Sequence, residues 1–265
     1  MPSDLRIGDT GPDVERWQRV VGCTTDGIFG PNTARATRIW QGSHGLDQTG
    51  AVTAEEWAAL AEETPPEPTT GQDEAIPTVL ARSFRRANRT RVDWVVIHTA
   101  ECSETNQSAE ALARYCAGGC DGRGASWHYS ADADSIVRSV PEQHVAYATR
   151  TAYPGVPNGA DERAIHIELA GRASQDAGQW GDEFSAAMLD RVARLVADIC
   201  RRWSVPPRHV EARWMVQGMR GIVGHVDVSR GPGKGRTNHT DPGSGFPWDS
   251  FVDAVERYYW EAAKA

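Results

Sequence analysis

Apolar residues run almost unbroken from Val92 to Ile97. A run of that length without polar alternation predicts a strand buried on both faces. Ala164-Ile165-His166-Ile167-Glu168-Leu169 predicts another strand. Ser126–Ala131 and Ser135–Val140 flank Asp132-Ala133-Asp134, the pattern of a hairpin. From about Ser185 to Trp203 the period becomes helical, with Met188, Val192, Leu195, Val196, Ile199 and Trp203 on one stripe. Gly221 to His225 predicts a short strand. A last helix, from about Trp248 to Ala263, carries Phe251, Val255, Tyr258 and Tyr259. Strands alternating with helices predict an α/β fold, a mixed central β-sheet flanked by helices.

The first sixty or so residues follow a different pattern. Val14, Trp17, Val20 and Val21 share one face of a helix from Asp13 to Val21. Pro31 opens a second helix, with Ala34, Thr37 and Trp40 inward, since proline suits the first helical position. Thr53 with Glu56 three residues on forms a capping box for a third helix, which carries Trp57 and Leu60. Asp26-Gly27 and Phe29-Gly30 predict tight turns. The pattern is a small three-helix bundle whose tryptophans are its core. The stretch from Ala61 to Pro77 is rich in Pro, Thr and acid and has almost no apolar residues, so it reads as an extended linker. The expected organisation is a bundle over 1–62, a linker over 63–77 and a larger unit over 78–265.

Composition narrows the function. The 265 residues are 40% hydrophobic and 24% charged, ordinary for a globular protein with a sizeable core. The formal net charge of −8 disfavours nucleic acid and anionic membranes as partners. No run of 18 apolar residues predicts membrane insertion, and the polar start shows no signal-peptide pattern. Cytoplasmic synthesis is expected, with any outside action following release by another agent. Five cysteines are an odd set, so free thiols are expected rather than a disulfide framework. Cys116 and Cys120 leave a local disulfide or half a metal site open.

Three dispersed residues suggest the chemistry. His98 closes the first apolar run, His225 follows Gly224, and Asp241 precedes Pro242-Gly243. Two imidazoles and a carboxylate suit Zn²⁺ with one position left open, the form of a hydrolytic site, provided the three converge. Singly each signal is weak, because a lone histidine is more often structural or on the surface.

The surrounding strings carry a resemblance. Leu5-Arg6-x-Gly8-Asp9-x-Gly11, Val14, Trp17-Gln18, Asp26-Gly27-x-Phe29-Gly30, Trp40-Gln41, Gly45-Leu46, Gly50 and Trp57 resemble the peptidoglycan-binding domain of many cell-wall hydrolases. Ile97-His98-Thr99, Ser126-Trp127-His128-Tyr129, Ile165-x-Ile167-Glu168-Leu169-x-Gly171, Gly224-His225 and Thr240-Asp241-Pro242-Gly243, then Phe246-Pro247-Trp248, occur in order. They resemble the zinc-dependent N-acetylmuramoyl-L-alanine amidases, a superfamily of bacterial and phage amidases and animal peptidoglycan recognition proteins. The likeness covers about 90–260 in patches. It implies His98, His225 and Asp241 as zinc ligands. It also implies Glu168 as the acid that assists the water, and His239 at the place of a lysine that steadies the oxyanion in many relatives. The implied reaction cuts the amide between N-acetylmuramic acid and L-alanine of bacterial peptidoglycan.

The chain departs from that pattern in places. Trp127 stands near the position of a catalytic tyrosine in some relatives, and Tyr129 lies two residues on. Tyr147-Ala148-Thr149-Arg150 replaces a Trp-His-Ala-Gly string. His166 occupies a strand position usually held by glycine. Period two places it on the Glu168 face about 7 Å away, as a group either behind the ligands or facing substrate. His128 is a candidate fourth metal neighbour, while His44, His144 and His209 read as structural or solvent-facing. Gly231-Pro232-Gly233-Lys234-Gly235 lacks P-loop spacing and reads as a substrate-side loop. A monomeric phage endolysin is the leading expectation. A bacterial autolytic or recycling amidase and a non-catalytic recognition protein stay open.

Overall fold

The computed structural model describes residues 3–21, 23, 26–43, 46–62, 76–150, 159–232 and 237–261. Residues 63–75, most of the expected linker, lie outside them, as do His44, Gly233–Gly235 and residues 262–263, the expected end of the last helix.

Helices α1 (Pro12–Val21), α2 (Pro31–Ser43) and α3 (Ala54–Glu62) form the N-terminal bundle. Val14, Trp17, Val21, Ala34, Thr37, Trp40 and Trp57 are buried, as their spacing predicts. Trp17 is the hub: its ring meets Trp40 at 4.9 Å and Trp57 at 5.2 Å, both edge-on. Its Nε1–H donates to Thr37 Oγ1 at 2.9 Å, so the buried donor is satisfied. The Thr53 hydroxyl and amide donate to Glu56 Oε2 at 2.6 and 2.7 Å, closing the start of α3.

A repeat unread in the sequence governs the turns of this bundle. Gln18 Oε1 accepts from Gly27 N–H at 2.9 Å, while Gln18 Nε2 donates to Asp26 Oδ1 and the Ile28 carbonyl. Gln41 Oε1 accepts from Gly50 N–H at 2.9 Å, while Gln41 Nε2 donates to Thr49 Oγ1 and the Ala51 carbonyl. Gly27 and Gly50 take φ of 71° and 76°, a left-handed conformation that glycine adopts at little cost.

The rest is a five-stranded mixed sheet in the order β3-β2-β4-β1-β5. The elements are β1 (Trp94–Thr99), α4 (Ser108–Gly118), β2 (Tyr129–Ala131), β3 (Ile136–Arg138), β4 (Ala164–Leu169), α5 (Glu183–Trp203), α6 (Ala212–Met215), β5 (Gly221–Gly224), α7 (His225–Arg230) and α8 (Trp248–Glu261). Pairing is parallel except between β2 and β3. The hairpin turns on Asp132, whose Oδ1 accepts from the Asp134 and Ser135 amides while Oδ2 accepts from Ala109 N at the start of α4. Helix α4 went unread in the sequence because its buried face, Ala109, Ala113 and Cys116, is built of small residues.

Alternation along β1 and β4 splits their residues between two layers. Val95, Ile97, Ile165, Ile167 and Leu169 pack with Met188, Val192, Val196 and Ile199 of α5 and Val255 of α8. Trp94, Val96, Ala164 and Val223 face the other way, with Met215 and Val228. On that second face the apolar residues stop partway, and His166, His98 and Glu168 continue the rows toward the carboxyl ends. The bundle touches the same side of the chain. Arg208 donates to the Val21 carbonyl, Arg35 donates to Gln217, and the Arg35 guanidinium lies 5.3 Å from the Trp214 ring centre.

All five cysteines are free, and only Cys102 is not buried. Burial pushes the Cys116 thiol up to about 12, so thiolate is scarce at neutral pH.

Two outcomes are expected. Trp17→Ala removes a buried aromatic and costs about 3–5 kcal/mol, read as an earlier urea midpoint in the unfolding of the bundle. At pH 8 an aromatic disulfide reagent reacts first at Cys102, and Cys116 becomes reactive only on denaturation; rapid labelling of Cys116 in the native chain contradicts its packing.

Candidate metal centre

Parallel strands leave their carboxyl ends open, where α/β sheets gather their chemistry. Here β1 and β5 are neighbours, and each delivers a histidine to that end. His98 is the fifth residue of β1, paired in register with Glu168 of β4. His225 differs from its expected place: β5 stops at Gly224, and His225 is the first residue of α7. The helix starts there because Asp227 Oδ2 accepts from Gly224 N–H at 2.9 Å, ending strand pairing. Gly224 has no room for a side chain, since a Cβ there would sit 2.8 Å from Pro242 Cδ.

Asp241 arrives on a loop fastened to that same helix. Val226 N–H donates to the Asp241 carbonyl at 2.8 Å, and Gly243 N–H donates to the Thr240 carbonyl at 2.9 Å. The Asp241–Pro242 bond is cis, and Gly243 has φ of 94°. A Cβ on Gly243 would sit 1.9 Å from the Ala173 carbonyl oxygen.

The three side chains converge, all buried. His98 Nδ1 lies 3.1 Å from His225 Nδ1 and 3.2 Å from Asp241 Oδ2, and His225 Nδ1 lies 3.3 Å from Asp241 Oδ1. Burial lowers the pKa of both imidazoles, so both are neutral at neutral pH. Burial pushes Asp241 upward, but hydrogen bonding and charge from His225 and His98 outweigh it and hold the carboxylate far below its usual range. Two neutral imidazoles and one carboxylate are the donor set a zinc ion takes. A tetrahedral ion with bonds of about 2.0–2.1 Å has ligand–ligand edges of about 3.3 Å. The closest approaches, 3.1 Å between the two Nδ1 atoms, 3.2 Å from His98 to Asp241 Oδ2 and 3.3 Å from His225 to Asp241 Oδ1, are of that size.

Glu168 stands beside the triangle, partly exposed at the mouth. Burial, with the negative charges of Asp241 and Glu101 adding, pushes its pKa up to about 8. Among the described residues no hydrogen bond reaches its carboxylate, which leaves it free to take and give a proton. His239 is half exposed, its ring stacked on His225 with centres 3.9 Å apart. Burial and the neighbouring His225 lower its pKa, so it presents a neutral ring rather than a cation.

Other expectations resolve differently. His128 is no metal neighbour: it is fully buried, its Nδ1 accepts from His166 N–H at 3.0 Å, and Nε2 lies 2.9 Å from Arg89 Nη2. Tyr129 lies in the core, its hydroxyl donating to Glu142 Oε1 at 2.8 Å. Trp127 is buried too, with Nε1–H donating to Ser130 Oγ at 2.7 Å. His209 stacks on Trp248 at 3.8 Å and faces Asp227, a structural role. His166 is fully buried rather than open to substrate. One residue had no signal in the sequence: Asp161, in a 3₁₀ turn over Ala160–Arg163, lies behind His166.

The fold is that of a known hydrolase. The Staphylococcus aureus hydrolase AmiA, solved with its ligand, aligns over 79% of this chain and 92% of its own, at 18% identity and a TM-score of 0.51. Residues 88–244 match the N-acetylmuramoyl-L-alanine amidase family, and residues 13–60 match a putative peptidoglycan binding domain. N-acetylmuramoyl-L-alanine amidase A of Achromobacter lyticus is 30% identical over 177 residues, 61% of this chain and 81% of that protein. The chain belongs to the N-acetylmuramoyl-L-alanine amidase family.

Gly243→Ala forces a left-handed φ on alanine and a collision with backbone. It is expected to cost at least about 1–3 kcal/mol and to displace Asp241, seen as a lower thermal midpoint together with weaker metal uptake. An unchanged midpoint contradicts the close approach.

Proposed function

We propose that this amidase is zinc-dependent and cuts the bond between N-acetylmuramic acid and L-alanine in bacterial peptidoglycan. The observation that carries the reading is the convergence of His98, His225 and Asp241, with closest approaches of 3.1–3.3 Å and donors suited to zinc. When bound, the ion supplies Lewis acidity for an amide carbonyl and for water. The protein's own groups do the rest. Glu168 takes the proton of the attacking water and returns it to the leaving amine, work that needs a carboxylate poised near neutral pH. His239, at the mouth, donates an N–H to the developing oxyanion. The presence of all three ligands favours catalysis over recognition alone.

The bundle is proposed to hold the enzyme on an insoluble substrate, raising its local concentration there. The reading extends to a monomeric, phage-type lytic enzyme that is made in the cytoplasm and reaches the wall after release. The pairing of a wall-binding unit with an amidase centre supports that setting.

Purified cell walls are expected to release new L-alanine amino termini, lose that release on chelation and regain it with zinc. Stoichiometric zinc without new amino termini sinks the enzymatic reading. Glu168→Gln is expected to keep zinc and lose on the order of 10²–10⁴ in kcat. Because the base must be ionised, kcat/KM rises with pH through the Glu168 pKa. A nearby dication lowers that pKa, so the acid limb falls below about 8. The limb is expected to disappear in Glu168→Gln; a limb that survives assigns the base elsewhere.

A further inference from the structure

His98 and His225 sit in unlike surroundings. The far nitrogen of His225, Nε2, is buried with no hydrogen-bond partner among the described residues. The far nitrogen of His98, Nε2, lies 3.1 Å from His166 Nδ1. His166 Nε2 in turn lies 3.3 Å from Asp161 Oδ1, an ion-pair contact outside hydrogen-bond geometry, and it has no hydrogen-bond partner among the described residues. Asp161 is itself fixed. Its Oδ1 accepts from Thr149 N–H at 3.0 Å and Thr149 Oγ1–H at 2.6 Å, and its Oδ2 accepts from Arg150 N–H at 2.9 Å. His166 is braced from below, where its backbone N–H donates to His128 Nδ1.

We propose that Asp161 and His166 form a buried relay that sets the tautomer and ring orientation of His98. Neither residue is catalytic; both position the ligand. The argument is directional. An ionised carboxylate can only accept, so the ring nitrogen facing it, His166 Nε2, carries the proton. A neutral imidazole then has its lone pair on the other nitrogen, Nδ1. His98 Nε2 faces that lone pair and must be the donor. Its own lone pair is thereby left on Nδ1, the atom in the triangle, against the pull of Asp241 Oδ2, which lies 3.2 Å from Nδ1 and would itself accept a proton from it. Each step follows from the one behind it, and the start of the chain is a fixed negative charge. A ligating histidine held this way gains both orientation and basicity. The relay also ties His98 to Thr149 and Arg150, because one carboxylate holds both.

This inference rests on the zinc reading for its functional meaning, but its structural content is tested in the metal-free protein, where His166 at Nε2 and Asp241 at Nδ1 compete for the His98 proton. Imidazole ¹⁵N NMR on the metal-free wild type tests it directly. His98 is expected as the Nε2–H tautomer and His166 as the Nε2–H tautomer with Nδ1 accepting. A His98 spectrum showing Nδ1–H, or an even mixture, overturns the relay. Zinc affinity is then measured by competition with a chromogenic chelator. His166→Leu removes the acceptor and is expected to weaken binding roughly 10–100-fold. His166→Asn can present its amide oxygen near the place of Nδ1, so it is expected to recover most of that loss. Equal affinity in wild type and His166→Leu, with His98 still a single Nε2–H tautomer in both, overturns the relay and leaves the zinc site standing. Failure of the wild type to bind zinc defeats the zinc reading, while the tautomer measurement still decides the relay. If His166→Leu does not fold, the wild-type spectrum and His166→Asn decide it.

Discussion

Three buried side chains whose nitrogen and oxygen atoms approach one another to 3.1–3.3 Å are the constraint on which this catalytic fold depends. Such crowding is costly in the absence of a cation, since buried polar groups lose water and must find partners. The surrounding chain supplies the restraint. Parallel strands β1 and β5 set two backbones side by side, and α7 turns His225 inward at its first residue. The Asp241 loop is clasped by Val226 and pressed against Ala173. Gly224 and Gly243 stand where any side chain would push the Asp241 loop out of place. The apolar layer formed with α5 and α8 makes the sheet rigid enough to hold these positions.

Much of this was legible in the sequence, and the reasons are local. β4 runs over the same six residues that its pattern predicts, Ala164–Leu169, because Ile165, Ile167 and Leu169 alternate with His166 and Glu168 and the polar Asp161-Glu162-Arg163 precedes them. Helix α5 announced itself by its long stripe. The converging residues His98, His225 and Asp241 were legible as residue types next to glycine, proline and strand ends, and the strings around them carried the family likeness. What failed needed three dimensions. His225 looked like a strand residue because nothing in Gly-Ile-Val-Gly-His marks the point where pairing yields to the Asp227 side chain. His128 looked like a metal neighbour because a histidine near a strand end carries no sign of which way it points. Asp161 is an ordinary acid in a short turn, five positions before His166, and only folding shows what it faces.

The two faces of β1 and β4 divide the labour. One is apolar up to Thr99 at the end of β1 and belongs to stability. The other begins with Trp94 and Ala164, continues with Val96 and His166, and ends with His98 and Glu168. Polarity therefore increases along the strand direction, so the basic and acidic groups lie where the sheet opens rather than where it is packed. The pKa of Glu168 follows from this placement. It is close enough to the core to be desolvated and close enough to the mouth to exchange protons.

The paired glutamine clasps of the bundle carry a consequence of their own. Gln18 grips Gly27 as Gln41 grips Gly50, and in each case the gripping residue follows a core tryptophan. The unit is thus a doubled motif, two copies of one helix-and-turn element offset by 23 positions in the chain. Neither copy alone can enclose a tryptophan, and a chain so short cannot hide its own apolar surface. Each half completes the other, Trp17 meeting Trp40 at the seam. The hydrogen bonds of the segment thus repeat with its tryptophans, and the two clasps differ in Asp26 and Thr49, which occupy the same place in them.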